Sequence, residues 1–262
     1  METITSMTNR WVKLAAQLKI KKYRDREGRF LLEGLRAVED AWNQKKRDTI
    51  CFVTRSLLAE PRVAAMAEHA RDLHWLFLLT DESLMKKMSG TEHGQGILAI
   101  VKKETHNLGT LSYPLSGRYV LLDAVQDPGN VGTIIRTAAA AGVSGIFLTE
   151  GTTDPYAEKA VRSSMGSVLR LPIYEGLSFA DVKELKEKGN IPLIGTALEH
   201  AKPYQEAGEF SNAIFAFGNE GNGIRPEILS LCTQKLYIPM AGSVESLNVS
   251  ACAAVILFHF YK

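Results

Sequence analysis

Apolar residues along this chain recur in two alternating rhythms. WVKLAAQLKI, residues 11 to 20, spaces them three and four apart, as a helix with one buried face does, and RFLLEG follows as a short strand. LRAVEDAWNQK and PRVAAMAEHARD return to the helical spacing, whereas TICFVT, HWLFLLT and GILAIV are short runs rich in β-branched and aromatic residues that read as strands. Residues 1–105 are therefore expected to form a small sheet flanked by helices. The stretch KKETHNLGTLSYPLSG is polar and turn-rich, with Gly109, Pro114 and Gly117, and predicts a linker over residues 106–117.

Beyond it the alternation is stricter. The strands YVLLDA, GIFLTE, PLIGTAL, AIFAFG and KLYIPM are interspersed with helices at VGTIIRTAAAA, PYAEKAVRSS, FADVKELKEK and PEILSL, PLIGTAL and AIFAFG following one another directly, and a long helix from Leu247 to Tyr261 closes the chain. LRLPIYEG reads as an apolar turn. Gly142 and Gly189 stand where a helix end wants a left-handed residue. Strands this uniformly apolar imply a parallel sheet covered on both faces, so residues 118–262 are expected to form an α/β domain. Ligands of such sheets bind beyond the carboxyl ends of the strands.

Composition narrows the setting. With 262 residues and 45% hydrophobic content the chain can bury a large core. No apolar run is long enough to span a bilayer, and the polar, basic amino terminus lacks the apolar block of a secretion signal, so a cytoplasmic protein without a membrane anchor is expected. Cys51, Cys232 and Cys252 form no CxxC pair and the histidines no metal-ligand spacing, so no metal is expected. The net charge is only +2, yet residues 1–29 hold eight Lys and Arg against Glu2, Asp25 and Glu27. That asymmetry suits an anionic partner.

Three loops after strands carry the candidate chemistry. In LLDAVQDPGNVGTIIRTAAAAG, Asp127-Pro128-Gly129 breaks the strand and Asn130 is expected to cap the helix that carries Arg136. Gly132 and Arg136 share a helical face, where a large group can approach and a guanidinium can fork onto phosphate or carboxylate. FGNEGNGI places Glu220 among Gly218, Gly221 and Gly223, in a spacing that is neither GxGxxG nor a phosphate-binding P-loop. This spacing and the missing ribose-binding acid weigh against a nucleotide-dependent oxidoreductase. In IPMAGSVESLNVSACAA a strand turns into a helix of small residues, with Ser246 or Asn248 as its cap and Leu247 and Ser250 alongside.

NVGTIIR, FGNEGNG and IPMAGSVESLNVSACAA, in this order and spacing, resemble the three motifs of the SpoU (TrmH) branch of the SPOUT methyltransferases over residues 118–262. RFLLEGLRAVEDAW and GILAIV are similar to the substrate-binding domain, resembling a ribosomal-protein fold, that precedes the catalytic domain in many members. The resemblance implies a trefoil-knotted α/β domain, a homodimer, and transfer of a methyl group from S-adenosylmethionine to a ribose 2′-hydroxyl of RNA. Ribosomal RNA is favoured over transfer RNA; a non-catalytic RNA-binding or ribosome-assembly protein is the alternative of another class.

Carried over by position, Thr196, Ala197, Gly218, Ile238, Ser246 and Leu247 are the cofactor contacts. Asn130, Arg136, Glu220, Ser246 and Asn248 are the catalytic and substrate-orienting set, with Glu220 expected to orient Arg136 or Asn130. The resemblance makes Arg136 the acceptor of the hydroxyl proton. Physical chemistry offers a second role, a grip on phosphate that stabilises developing charge, because an arginine normally stays protonated. Residues 10 to 29 are expected to touch RNA phosphates.

Overall fold

The computed structural model describes residues 1–89, 95–242 and 246–261, and its chain divides into two compact units. The first comprises Met1–Glu104 and, from further along the chain, Asp154–Arg170. The second comprises Thr105–Thr153 and Leu171–Lys262.

In chain order the first unit runs β1 (Glu2–Ile4), α1 (Arg10–Gln17), α2 (Lys21–Glu27), β2 (Arg29–Glu33), α3 (Leu35–Asn43), β3 (Ile50–Thr54), α4 (Arg55–Leu58), α5 (Pro61–Glu68), β4 (Leu76–Thr80), α6 (Glu82–Met88) and β5 (Ile97–Lys102). The strands lie in the order β1-β4-β3-β5-β2, parallel from β1 to β3 and antiparallel where β5 pairs with β3 and β2. Leu31, Phe52, Leu78, Leu98 and Ile100 from the sheet close over Val12, Ala15 and Leu18 from α1 and its end and over Met85 and Met88 from α6.

The helix expected over residues 11 to 20 ends at Gln17, and a second helix begins at Lys21. Asn9 starts the first by accepting from the Trp11 N–H at 2.8 Å, and Gly28, left-handed at φ 57°, ends the second. Helix α2 reads as charged surface because KKYRDRE has no apolar stripe. Its Arg24 is nevertheless buried: Nε and Nη2 donate to Asp154 Oδ2 at 2.8 and 2.6 Å, and Nη1 donates to the Leu18 carbonyl. Arg24 is thus structural and leaves the basic surface expected over residues 10 to 29. Lys21 and Arg26 are also paired, with Asp25 and Glu27.

The second unit begins with β6 (Arg118–Asp123), α7 (Pro128–Ala140) and β7 (Gly145–Thr149). After α8 (Glu158–Ser164), which belongs to the first unit, it resumes with β8 (Ile173–Leu177), α9 (Phe179–Gly189), β9 (Leu193–Thr196), β10 (Lys202–Pro203), β11 (Ala213–Gly218), α10 (Pro226–Leu231), β12 (Gln234–Tyr237) and α11 (Val249–His259). All its strand pairs are parallel, in the order β10-β12-β9-β11-β6-β7-β8. On one face Leu121, Phe147, Tyr174, Leu193, Ile214 and Ala216 pack on Val182 and Leu185 of α9 and Ile228 of α10. Helix α11 packs on α7 and β11, where Phe260 stacks on Phe215 with centroids 5.2 Å apart.

Three expectations about this unit are corrected. LRLPIYEG holds β8, paired to β7 with a register shift near Gly176, which is left-handed at φ 72°; Pro172 and that shift break its strand pattern. Gly189 is the last residue of α9, and Asn190 takes the left-handed turn at φ 47°. A side chain at Gly189 would press on Leu115, with Cβ 3.0 Å from Leu115 Cδ1, so close packing accounts for the glycine. Helix α7 is capped by Asp127, whose carboxylate accepts from the Asn130 N–H at 2.9 Å. Asn130 therefore lies inside the first turn, with its side chain free for another task.

Candidate active site

The residues singled out by the sequence gather at the carboxyl ends of β6, β9, β11 and β12. Their centre is Glu220, in the loop after β11. One of its carboxylate oxygens accepts from the Gln126 N–H, and the other accepts from the Asp127 N–H, both at 3.1 Å. The second oxygen also takes the Asn130 side-chain amide at 2.9 Å. Partial burial pushes the Glu220 pKa up, but the hydrogen bonds from Asn130 and from backbone N–H groups outweigh it and hold the carboxyl below the ordinary glutamate value. An ionised Glu220 thus clamps the loop between β6 and α7.

The relay continues through the oxygen of the same amide. Asn130 Oδ1 accepts from Asn248 Nδ2 at 3.0 Å, and Asn248 Oδ1 caps α11 by accepting from the Ser250 N–H at 2.9 Å and from the Ser250 hydroxyl at 2.6 Å. Three loops far apart in sequence are tied by Asn248, Asn130 and Glu220. Asn248 is thereby the cap of α11, and Ser246, exposed, precedes it. Ser243, Val244 and Glu245 of the third motif lie outside the described residues.

Arg136 stands apart from this relay. It is exposed on α7, two residues beyond the buried Ile134, and among the described residues its guanidinium makes no hydrogen bond or ion pair. The expected choice for Glu220 between Arg136 and Asn130 falls on Asn130. A guanidinium without a protein partner is free to meet an anion from outside.

Gly218 ends β11, where the chain doubles back so tightly that a Cβ there would lie 2.1 Å from the Gly223 carbonyl carbon and from the Ile224 nitrogen. Asn219 and Gly223 exchange two backbone hydrogen bonds at 2.9 Å, and Asn219 Oδ1 accepts from the Gly221 and Asn222 N–H groups. Only glycine fits at Gly218. Thr196 donates its hydroxyl to the Ala216 carbonyl at 3.0 Å, the Ala197 N–H donates to the Leu236 carbonyl at 3.0 Å, and Ile238 follows β12, half-buried. Leu198 and Leu247 are 66% and 41% exposed, an apolar surface at the same end of the sheet.

Sequence reasoning missed the residues beneath the site. Asp123, wholly buried at the end of β6, accepts from the Arg225 N–H at 2.8 Å, from Arg225 Nε at 2.9 Å and Nη2 at 2.7 Å, and from the Thr149 hydroxyl at 2.9 Å. The hydrogen bond to Asp123 first, with its charge, raises the Arg225 pKa. Between this pair and Glu220 the backbone bends through Ala124, left-handed at φ 54°, whose carbonyl accepts from Asn219 Nδ2 at 2.9 Å. An acid ending an apolar strand was the available signal; its partner, 102 residues away, had none.

This arrangement matches known proteins over its whole length. The model of the SpoU rRNA Methylase family matches residues 117–258, and that of the MRM3-like substrate binding domain matches residues 9–99. The chain is similar to the 23S rRNA (guanosine(2553)-2′-O)-methyltransferase RlmP of Bacillus subtilis, 34% identical with 99% of each chain covered. It is similar in structure to an AdoMet-bound rRNA methyltransferase from Sinorhizobium meliloti, at TM-score 0.88 and 32% identity, covering 99% of this chain and 97% of that one. The SpoU methyltransferase AviRb from Streptomyces viridochromogenes, in complex with AdoMet, aligns at TM-score 0.86 and 26% identity over 97% of each chain.

Proposed function

The chain belongs to the SpoU rRNA methylase family, and from that premise we propose how its residues divide the work of methylating a ribose 2′-hydroxyl of ribosomal RNA with S-adenosylmethionine. The donor set fits that cofactor: the tight backbone turn at Gly218 and the chain leaving β9 at Ala197 can offer backbone groups, and exposed Leu198 and Leu247 offer apolar surface to an adenine ring. Thr196, Ala197, Gly218, Ile238, Ser246 and Leu247 would hold it. When bound, it supplies an electrophilic methyl group on a sulfonium.

Everything else falls to the protein. Positioning the attacking oxygen in line can be worth ~7–11 kcal/mol. The Asn248–Asn130–Glu220 relay fixes the loops that must do this, and it is the single observation that carries the reading. Arg136, exposed and with its guanidinium unpaired among the described residues, grips the RNA beside the target ribose and stabilises negative charge developing on the oxygen as the hydroxyl proton passes to another acceptor, solvent water. Glu220, already saturated by N–H donors, holds Asn130 and takes no direct part. Arg136→Ala is expected to abolish turnover while keeping most of the cofactor affinity, measured by calorimetry; a parallel loss of both would overturn this role.

The remaining assignments are of a piece with this one. Residues 1–105, with the segment Asp154–Arg170 that belongs to the same unit, bind RNA, residues 106–117 link, and the rest of residues 118–262 transfer the methyl group. β11 lies between β9 and β6, an order that supports a trefoil-knotted path. Helix α11 is apolar nearly all round, with Phe258 and Tyr261 49% and 50% exposed, which supports a homodimer through that helix. Among the described residues no helix is long and apolar enough to cross a membrane, and we place the enzyme in the cytoplasm, with large-subunit ribosomal RNA as substrate.

A further inference from the structure

A groove of about 600 Å³ lies wholly within the first unit. Buried Leu31 of β2, Leu98 of β5 and Val161 of α8 form its floor, and Met165, just past α8, adds a side wall that is 47% exposed. Exposed Arg36, Arg62 and Arg162 line its rim. Arg62 is held by Glu39 and Glu60 at 3.2 and 3.0 Å, whereas the guanidinium groups of Arg36 and Arg162 make no hydrogen bond or ion pair among the described residues. Glu33, whose carboxylate accepts from the Ser89 hydroxyl, and Glu158 also face the groove, so three arginines stand against two acids.

Met165 is the informative residue. Its φ of 49° lies in the left-handed region that favours glycine or asparagine, and its large apolar side chain is half in water. Neither backbone preference nor core burial accounts for a methionine there. An apolar slot edged by free guanidinium groups offers what an unstacked base and its phosphates require.

We propose that this groove holds one unpaired nucleotide of the substrate RNA, its base against the exposed Met165 side chain and its flanking phosphates on Arg36 and Arg162. The assignment rests on RNA being the substrate.

The test is steady-state methylation of in vitro transcribed 23S ribosomal RNA by the full chain, comparing wild type with the double variant Arg36→Ala, Arg162→Ala and with Met165→Gly. Glycine suits the left-handed backbone at 165, so that variant removes the side chain without endangering the fold. Each is expected to raise KM for the transcript roughly tenfold with kcat and cofactor affinity kept, as loss of a stacking or phosphate contact does. For the double variant, the dependence of log KM on log salt should become shallower by about 1.4, from two lost single-strand phosphate contacts. Unchanged KM and salt slope, in a wild type that methylates the transcript, would overturn the groove assignment alone. Unchanged KM together with competition by poly-glutamate, lost in the double variant, would assign the groove to an acidic protein segment instead. A wild type that neither methylates nor binds the transcript would overturn the parent reading and the groove with it.

Discussion

Replacing Gly218 with alanine is the sharpest local perturbation the site offers. The added Cβ would fall 2.1 Å from two backbone atoms of the returning Gly223–Ile224 segment and 2.4 Å from the Gly223 oxygen, distances no side-chain adjustment can relieve. The loop must open by more than 1 Å, roughly the gap to an ordinary van der Waals contact. That opening costs the two Asn219–Gly223 hydrogen bonds, each about 1 kcal/mol, and the strain of overpacking, about 1–3 kcal/mol more. A destabilisation of about 3–5 kcal/mol follows if the loop is rebuilt in the folded protein. The same segment carries Asn219 and Glu220, so cofactor affinity should fall on the order of a hundredfold or more, since about 1.4 kcal/mol corresponds to a factor of ten. Thermal unfolding and calorimetric titration with S-adenosylmethionine read the two effects separately. An alanine variant that melts and binds like wild type would refute both the tightness of this turn and its place in the cofactor site.

Other perturbations probe the supports. Asp123→Ala removes the acceptor for Arg225 and Thr149; because Arg225 is 36% exposed and can be resolvated, the cost should be about 2–3 kcal/mol, below that of breaking a fully buried pair, and denaturant unfolding would measure it. Glu220 has its pKa depressed below the reference 4.5 in the folded state, so its stabilisation is complete above that pH and is lost as pH falls through the lower folded value. Glu220→Gln should therefore be less stable than wild type near neutrality, with the gap closing in acid; a pH-independent gap would count against the ionised clamp. Arg136→Lys keeps a charge but not the fork, and should recover only a small part of the turnover lost in Arg136→Ala, as followed by methyl incorporation into RNA. Burial raises the Cys232 and Cys252 thiols to about 11, so both are protonated at pH 7.5 and iodoacetamide should leave activity intact over a normal assay.

Much of this architecture could be read from the chain because its strands are uniformly apolar and its helices carry a clear stripe. YVLLDA and AIFAFG became β6 and β11 at nearly the expected bounds, and Asn130 proved to be hydrogen-bonded to both Glu220 and Asn248. What escaped was governed by distant partners. KKYRDRE looks like solvated surface, yet Asp154, 130 residues away, draws Arg24 into the interior. The capping of α7 went to Asp127 because Pro128 starts the helix, which leaves Asn130 in the first turn, where its side chain links Glu220 and Asn248. IYEG lost its strand signature to a neighbouring proline and a left-handed glycine, and only its pairing with β7 makes it a strand.

The most direct test of the account is to incubate the purified chain with methyl-labelled S-adenosylmethionine and unmodified ribosomal and transfer RNA in separate reactions, then digest to nucleosides and identify the labelled product. A 2′-O-methyl nucleoside from the ribosomal pool is the predicted result, whereas label on a base, or on transfer RNA alone, would contradict it.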